Sequence, residues 1–339
     1  MGTSHIWKAA LLTMAGALVS GEASANELAE RDSINQDVVA LMRVGNFSEL
    51  EARAASYRTS RARTSSGLWK LTLYYYASDA LFNPPREGDV YWSEAERFMK
   101  AWLLAYPDSP TPHLLYARLL LNHGLSYRGE GPAASVRPED WAPFKNYVQQ
   151  ARRYLEDHKA GASVDPYWYE LMAIIGYLQG WPEPQFAKLV AEGLDREPAF
   201  YQIYFAAVEY YSPRWHGNAL KVDRFAREAV RRTKAFEGSG MYARIYWNVW
   251  DKECGNCLSE TLRDWTTMKK GIDDVLKTYP DAWNVNNFAR FACLAQDKAK
   301  TAELVGRIKD APILQAWKND PALLERCRSW SMDTAPAGA

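Results

Sequence analysis

Phe200-Tyr201-Gln202-Ile203-Tyr204-Phe205-Ala206-Ala207-Val208 is too apolar for a surface helix and too regular for a loop. Its apolar side chains recur at helical spacing and cover more than one face, the pattern of a helix with neighbours on several sides. Leu68-Trp69 through Leu73-Tyr74-Tyr75-Tyr76 reads the same way. Helical patterns with one polar face alternate with these segments, and strand-like alternation is scarce and short. The chain is therefore all-α. Its 14 Trp, 20 Tyr and 11 Phe are far more ring surface than a small core needs, since each packed ring buries about 150–250 Å².

The breaks between these segments read as helix hairpins. Tyr106-Pro107-Asp108-Ser109 and Tyr279-Pro280-Asp281-Ala282 share a Tyr-Pro-Asp triplet. Each closes one helix and offers Asp108, Ser109 or Asp281 to cap the next. Val164-Asp165-Pro166 and Glu197-Pro198-Ala199 do the same, with proline accommodated in a first helical turn, where its missing N–H has no partner to lose. Gly45-Asn46-Phe47 forms a short turn before a helix that starts near Ser48. None of these segments has the composition of a domain linker, so residues 26–333 read as a single helical-repeat domain, followed by a disordered tail over 334–339.

These hairpin signals resemble the tetratricopeptide-like superfamily, whose repeats pair two antiparallel helices around a Gly-x-aromatic turn, with small residues at the helix crossing and a terminal proline after an aromatic. The best-matching segment is Tyr279 to Ile308, with Trp283, Ala289 and Ala292 in a first helix, Asp297 at the turn and Ala302 in the second. Of the intervals between Pro107, Pro166, Pro198 and Pro280, only Pro166 to Pro198 approaches the ~34-residue repeat. A narrower set of motifs is similar to a family of secreted bacterial helical proteins of unassigned function. These are Phe47-x-x-Leu50-Glu51, Ser66-Gly67-Leu68-Trp69-Lys70-Leu71, Tyr127-Arg128-Gly129-Glu130-Gly131, Trp215-His216-Gly217 and Met241-Tyr242-Ala243-Arg244-Ile245-Tyr246-Trp247. The resemblance implies an α-solenoid of antiparallel hairpins over nearly the whole mature chain, and no activity.

Residues 1–25 have the three parts of a secretory signal: Lys8 in a short basic start, the apolar run Ala9 to Val19, and the small-x-small site Ala23-Ser24-Ala25. The run is well short of the ~20 residues that cross a bilayer. A periplasmic or secreted protein beginning at Asn26 is expected. Lys+Arg and Asp+Glu are equal at 41 each, which argues against a nucleic-acid partner, because such a surface needs excess positive charge. The basic run Arg53, Arg58, Arg61, Arg63 and Lys70 alternates with apolar residues and reads as a solvated helix face.

The four cysteines all fall late: Cys254, Cys257, Cys293 and Cys327. In an oxidising compartment they make two disulfides most simply, with three possible connectivities. The favoured one is Cys254–Cys257 with Cys293–Cys327, the second bridge pinning the last helix to the preceding hairpin. A thiol-exchange site lacks a βαβ context, zinc lacks a second close-spaced pair, and haem attachment fails because Leu258 follows Cys257 where a histidine is required. Among His113, His123, His158 and His216 none lies four residues from another, so a helix-borne metal pair is absent. No metal and no cofactor are expected.

Three places could form a binding surface. Pro213-Arg214-Trp215-His216-Gly217 is an aromatic and basic loop in which a ligand could stack on Trp215 beside Arg214 or His216; its plain alternative is that Trp215 caps a hairpin end. Ser126 to Asp140, with Tyr127, Arg128 and Arg137, is a long break in a helical pattern. Within Met241 to Trp250, the residues Tyr242, Ile245, Tyr246 and Val249 form a core stripe, leaving Arg244 and Trp247 toward solvent or a concave face, with core packing the favoured alternative for Trp247. The carboxylates Glu94 and Glu96 lie on different faces of one helix, and no pair marks a glycosidase. The expected function is a module that holds a peptide or envelope protein on an aromatic-rich face. The alternative is a cell-envelope enzyme acting on glycan or peptide through a carboxylate pair that the sequence does not reveal. When the chain is exported by its own leader, mass spectrometry of the mature N-terminus is expected to read Asn26; a chain that keeps Met1 overturns the signal reading.

Overall fold

The computed structural model describes residues 26–79, 88–129, 131–253, 264–308 and 312–333. Among them are sixteen α-helices and no strand. The described residues divide into two compact units, one comprising Ala29–Ala62 and Trp69–Trp168, the other Asn26–Leu28, Arg63–Leu68 and the described residues from Tyr169 onward. The expected leader over 1–25, the expected Cys254–Cys257 bridge and the expected tail over 334–339 lie outside the described residues.

The first unit carries α1 (Glu27–Val44, apart from its first two residues), α2 (Phe47–Ser60), α3 (Lys70–Asp79), α4 (Asp89–Ala105), α5 (Pro110–Arg128), α6 (Trp141–Asp157) and α7 (Lys159–Ala162). α5 is its centre: Leu114, Leu115, Ala117, Leu119 and Leu121 are buried, and α3, α4, α6 and α7 all pack on it. α6 buries one stripe, Phe144, Val148, Ala151 and Leu155, at the i, i+4, i+7 spacing of an amphipathic helix. α5 and α6 approach closely at Gly124, where a Cβ would lie 3.1 Å from Tyr147 Cβ and 3.2 Å from the Phe144 carbonyl.

The second unit carries most of α8 (Tyr167–Gln179), then α9 (Glu183–Arg196), α10 (Tyr201–Tyr211), α11 (Ala219–Glu237), α12 (Gly240–Glu253), α13 (Trp265–Thr278), α14 (Ala282–Leu294), α15 (Lys298–Arg307) and α16 (Pro321–Met332). Its helices alternate in character. Nearly every residue of α10 and most of α14 is buried, and Met241 to Tyr246 of α12 are buried without a break. α11 buries the stripe Val222, Ala226, Ala229 and Thr233 with Glu237 at its end, and α13 only Met268, Gly271, Ile272, Val275 and Leu276. Each amphipathic helix packs on the helices before and after it in sequence, which is why the apolar segments are apolar on several faces.

The caps follow the sequence punctuation. Asn46, Ser109 and Asp281 each accept a backbone N–H in the first turn of α2, α5 and α14, satisfying donors that a helix start otherwise leaves unpaired. Gly45 turns the chain with φ +63°. Pro198 differs from expectation: it lies two residues ahead of the cap Phe200, outside the first helical turn, and its carbonyl accepts the Tyr204 hydroxyl at 3.1 Å. Cys293 on α14 and Cys327 on α16 are disulfide-bonded, their Cα atoms 5.7 Å apart, and closing that loop stabilises the end of the unit by about 3–4 kcal/mol in the chain-entropy model.

Three inward-turned arginines correct the sequence reading. In the first unit Arg58 is no solvated residue: its Nε meets Asp165 at 2.6 Å and its Nη2 donates to the Thr111 hydroxyl at 3.0 Å. The Tyr75 hydroxyl donates to the same Asp165 oxygen at 2.6 Å. In the second unit Arg244, expected toward solvent or a concave face, is 4% exposed. Its Nε donates to Glu237 at 2.5 Å and its Nη2 to the Ser66 carbonyl at 3.1 Å, with Tyr201 and Tyr279 rings within 4.8 and 5.3 Å. Arg63 is likewise turned inward, donating to the carbonyls of Gly67 and Ala199 and lying over Tyr201 at 4.7 Å. Gly67, at φ +97°, has no room for a Cβ beside Arg244 Nη2 and Tyr279. Removing one partner of a buried ion pair strands the other charge. Arg244→Met is therefore expected to lower the unfolding free energy by about 3–5 kcal/mol in equilibrium urea denaturation, and the double change with Glu237→Gln to lower it by less.

Candidate functional site

α4, α5 and α6 enclose a cleft of about 430 Å³ lined by Trp92, Ser93, Glu96, Leu119, Leu120, His123, Tyr147 and Gln150. The volume lies in the range of small-ligand and side-chain sites. Helical spacing builds it. Trp92 and Glu96 stand one turn apart on α4, while Tyr116, His123 and Tyr127 recur along one side of the otherwise apolar α5, and side chains so spaced share a face.

The rings form a column. Trp92 and His123 are stacked at 4.3 Å and 7°, His123 and Tyr147 at 3.9 Å and 27°. Tyr127 lies near-parallel to both, 5.6 Å from His123 and 6.1 Å from Tyr147. Trp92 is buried, whereas His123, Tyr127 and Tyr147 are half-buried and Ser93 and Gln150 exposed. The column supplies an apolar wall, and Ser93, Gln150 and Glu96 supply polar groups around it.

Among the described residues of the lining, Glu96 is the only acidic or basic side chain besides the imidazole of His123. Its Oε1 accepts the Tyr116 hydroxyl at 2.9 Å and pairs with Lys100 at 2.9 Å. The hydrogen bond from Lys100 outweighs burial and, with Tyr116 and the nearby His123, holds the Glu96 carboxyl below its ordinary value. Burial and then Glu96 push the Tyr116 phenol up to about 12, so at neutral pH it stays a donor and Glu96 an ionised acceptor. One carboxylate in a ring-walled cleft can orient a ligand. Paired-carboxylate hydrolysis needs a second one across the reacting bond, and the described residues of the lining include one. Among the described residues no group of three His, Cys, Asp or Glu side chains is placed to hold a metal ion, and no helix is long and apolar enough to cross a membrane.

The residues singled out in the sequence fall in several places. Tyr127 and Arg128 form the last turn of α5, Tyr127 beside the cleft and Arg128 closing the following turn through the Gly129 and Gly131 carbonyls at 2.9 and 3.1 Å. Arg137 is exposed and held in a fork by Asp140 at 2.8 and 3.0 Å. In the second unit Trp215 packs against Tyr177 at 4.7 Å, His216 Nε2 donates to the Tyr177 carbonyl at 2.7 Å, and Arg214 reaches the Lys252 carbonyl at 3.3 Å. These three remain together on one loop. Arg244 is committed to Glu237, as above. Trp247 is half-buried against Phe288 and Phe291, its indole N–H donating to Asp251 at 2.8 Å.

Sequence reading missed Trp92, Tyr116 and Tyr147, and it weighed Glu96 only as half of a catalytic pair. The available signal was Tyr116, His123 and Tyr127 at one-sided helical spacing on a helix whose other faces are leucine-rich. No family model, no curated protein and no solved structure matches the chain.

A carboxyl depressed in the folded state contributes stability above its unfolded pKa and loses it as pH falls through the folded value. Lys100→Ala removes the main depressing contact. Carbon-detected NMR titration is expected to show the Glu96 carboxyl shifting upward toward the ordinary glutamate range, and the acid-side contribution of this group shrinking; an unmoved titration overturns the role assigned to Lys100.

Proposed function

We propose that this chain is a helical-repeat binding module of the cell envelope that holds a peptide segment or partner protein at the cleft of α4, α5 and α6. The observation that carries the reading is the near-parallel ring column Trp92–His123–Tyr147 with one ionised carboxylate, Glu96, at its side. Large rigid rings contribute contact area at small conformational cost, and a few placed polar groups orient what they hold.

The repeat reading is supported by the alternation of all-round buried and one-face-buried helices, each packed on its sequence neighbours. That is the arrangement expected of antiparallel hairpins of the tetratricopeptide-like kind, whose units bury their apolar faces on adjacent repeats. The envelope address is supported by the three-part leader in the sequence and by the bonded Cys293–Cys327 pair, since disulfides persist in oxidising compartments.

A photo-crosslinking residue placed at the exposed Gln150 of the exported protein tests the reading. Irradiation in cells is expected to give a discrete polypeptide adduct that is absent from the same probe at exposed Arg224 of α11 and lost when Tyr147→Ala is added. Equal adducts at both positions, or none at Gln150, overturn the proposal.

A further inference from the structure

We propose that the cleft selects a cationic side chain, so that the bound segment presents a lysine or arginine to Glu96 with its methylene stem along the aromatic column. The inference rests on the reading of the cleft as a peptide site and adds what that site prefers.

Charge is the first reason. Among the described residues that line the cleft, Glu96 is the only carboxylate and there is no lysine or arginine. Tyr116 donates to Glu96 Oε1 at 2.9 Å and Lys100 pairs with the same oxygen at 2.9 Å, and a carboxylate can accept more than these two hydrogen bonds. Lys100 is not a fixed counter-ion: its side chain is 63% exposed, and an ion pair of that kind is weak and readily exchanged. A ligand ammonium or guanidinium can therefore share or replace it.

The rings are the second reason. A cation is attracted to the faces of Trp and Tyr within about 6 Å, and Trp92 and Tyr147 line the cleft together with Glu96, with Tyr127 6.1 Å from Tyr147. Long basic side chains lay their aliphatic stems on apolar surface while the charged head stays with polar groups. Leu119, Leu120 and the ring column supply that surface, and Ser93 and Gln150 supply acceptors near the mouth. An acidic side chain would face Glu96 across a low-dielectric wall and is disfavoured, while an apolar one would leave the carboxylate without a new partner on desolvation.

The test is a set of three capped pentapeptides of identical glycine-serine flanks with a central lysine, norleucine or glutamate, titrated into the mature protein. The methyl signals of Leu119 and Leu120 in NMR report occupancy of the cleft. The lysine peptide is expected to bind about tenfold more tightly than the norleucine peptide, the sum of a partly exposed cation–ring contact and an exposed ion pair, with the glutamate peptide weakest. Glu96→Gln is expected to narrow the difference between lysine and norleucine to the roughly threefold that the cation–ring contact supplies by itself, while leaving the thermal midpoint near that of the parent. If norleucine binds as tightly as lysine, the cation preference is overturned and the peptide site stands. If none of the three moves the Leu119 and Leu120 methyls, the peptide site falls and the preference with it.

Discussion

A guanidinium with almost no access to water is the constraint around which the second unit is organised. Arg244 is always charged, and taking such a charge out of water is costly unless each of its donors finds an acceptor. Glu237 at the end of α11 supplies the opposite charge, and the Ser66 carbonyl supplies a second acceptor. Tyr201 places its hydroxyl on the other Glu237 oxygen and its ring against both Arg244 and Arg63. The short segment Arg63–Leu68 is held in turn: Glu27 accepts the Ser66 N–H at 2.8 Å, and Asn284 donates to the Ser66 carbonyl at 3.2 Å. Residues from four distant stretches of chain thus meet at one charge, and the arrangement leaves no space at Gly67 for any side chain.

Around that point the unit is built by alternation. An isolated helix of ten to nineteen residues is marginal in water, and tertiary burial of its apolar face supplies most of its stability. α10 and α12, apolar on several faces, need neighbours on several sides, and the one-sided helices α11 and α13 cover them. The high content of Tyr and Trp fits this plan because each ring fills a wide gap, and the phenol hydroxyls can end on charged groups. Tyr242, for example, donates to Asp223 at 2.7 Å. The same logic in the first unit puts Tyr75 on Asp165 and stacks it on Tyr167 at 4.0 Å.

The cleft arises where this covering is incomplete. α5 is buried along most of its length, but on the side of Tyr116, His123 and Tyr127 its neighbours α4 and α6 contribute rings and short polar groups in place of a closed aliphatic seam. Gly124 brings α5 and α6 close enough for Tyr147 to stack on His123. A column of rings with one edge in solvent is stable without a ligand and presents a preformed wall to one, so little conformational freedom is lost when something binds.

Much of the fold was legible in the residues themselves. Helical periodicity, the Tyr-Pro-Asp stops, the caps at Asn46, Ser109 and Asp281, and the pairing of Cys293 with Cys327 are local or nearly local signals, because capping and amphipathic spacing act within a few residues. The core stripe Tyr242, Ile245, Tyr246 and Val249 was legible for the same reason. Arg58, Arg63 and Arg244 were not: periodicity places a side chain on a face, but whether a charge on that face goes inward depends on a partner such as Asp165 or Glu237 arriving from elsewhere in the chain. The cleft was half legible, as the one-sided run of polar rings on α5. Sequence alone therefore determined an all-helical chain and the ends of its helices, since those follow from short-range backbone and side-chain chemistry. Tertiary structure alone decided which arginines are buried, and that Trp92, Glu96, His123 and Tyr147 share a site, because those facts depend on distances between helices that no local spacing encodes.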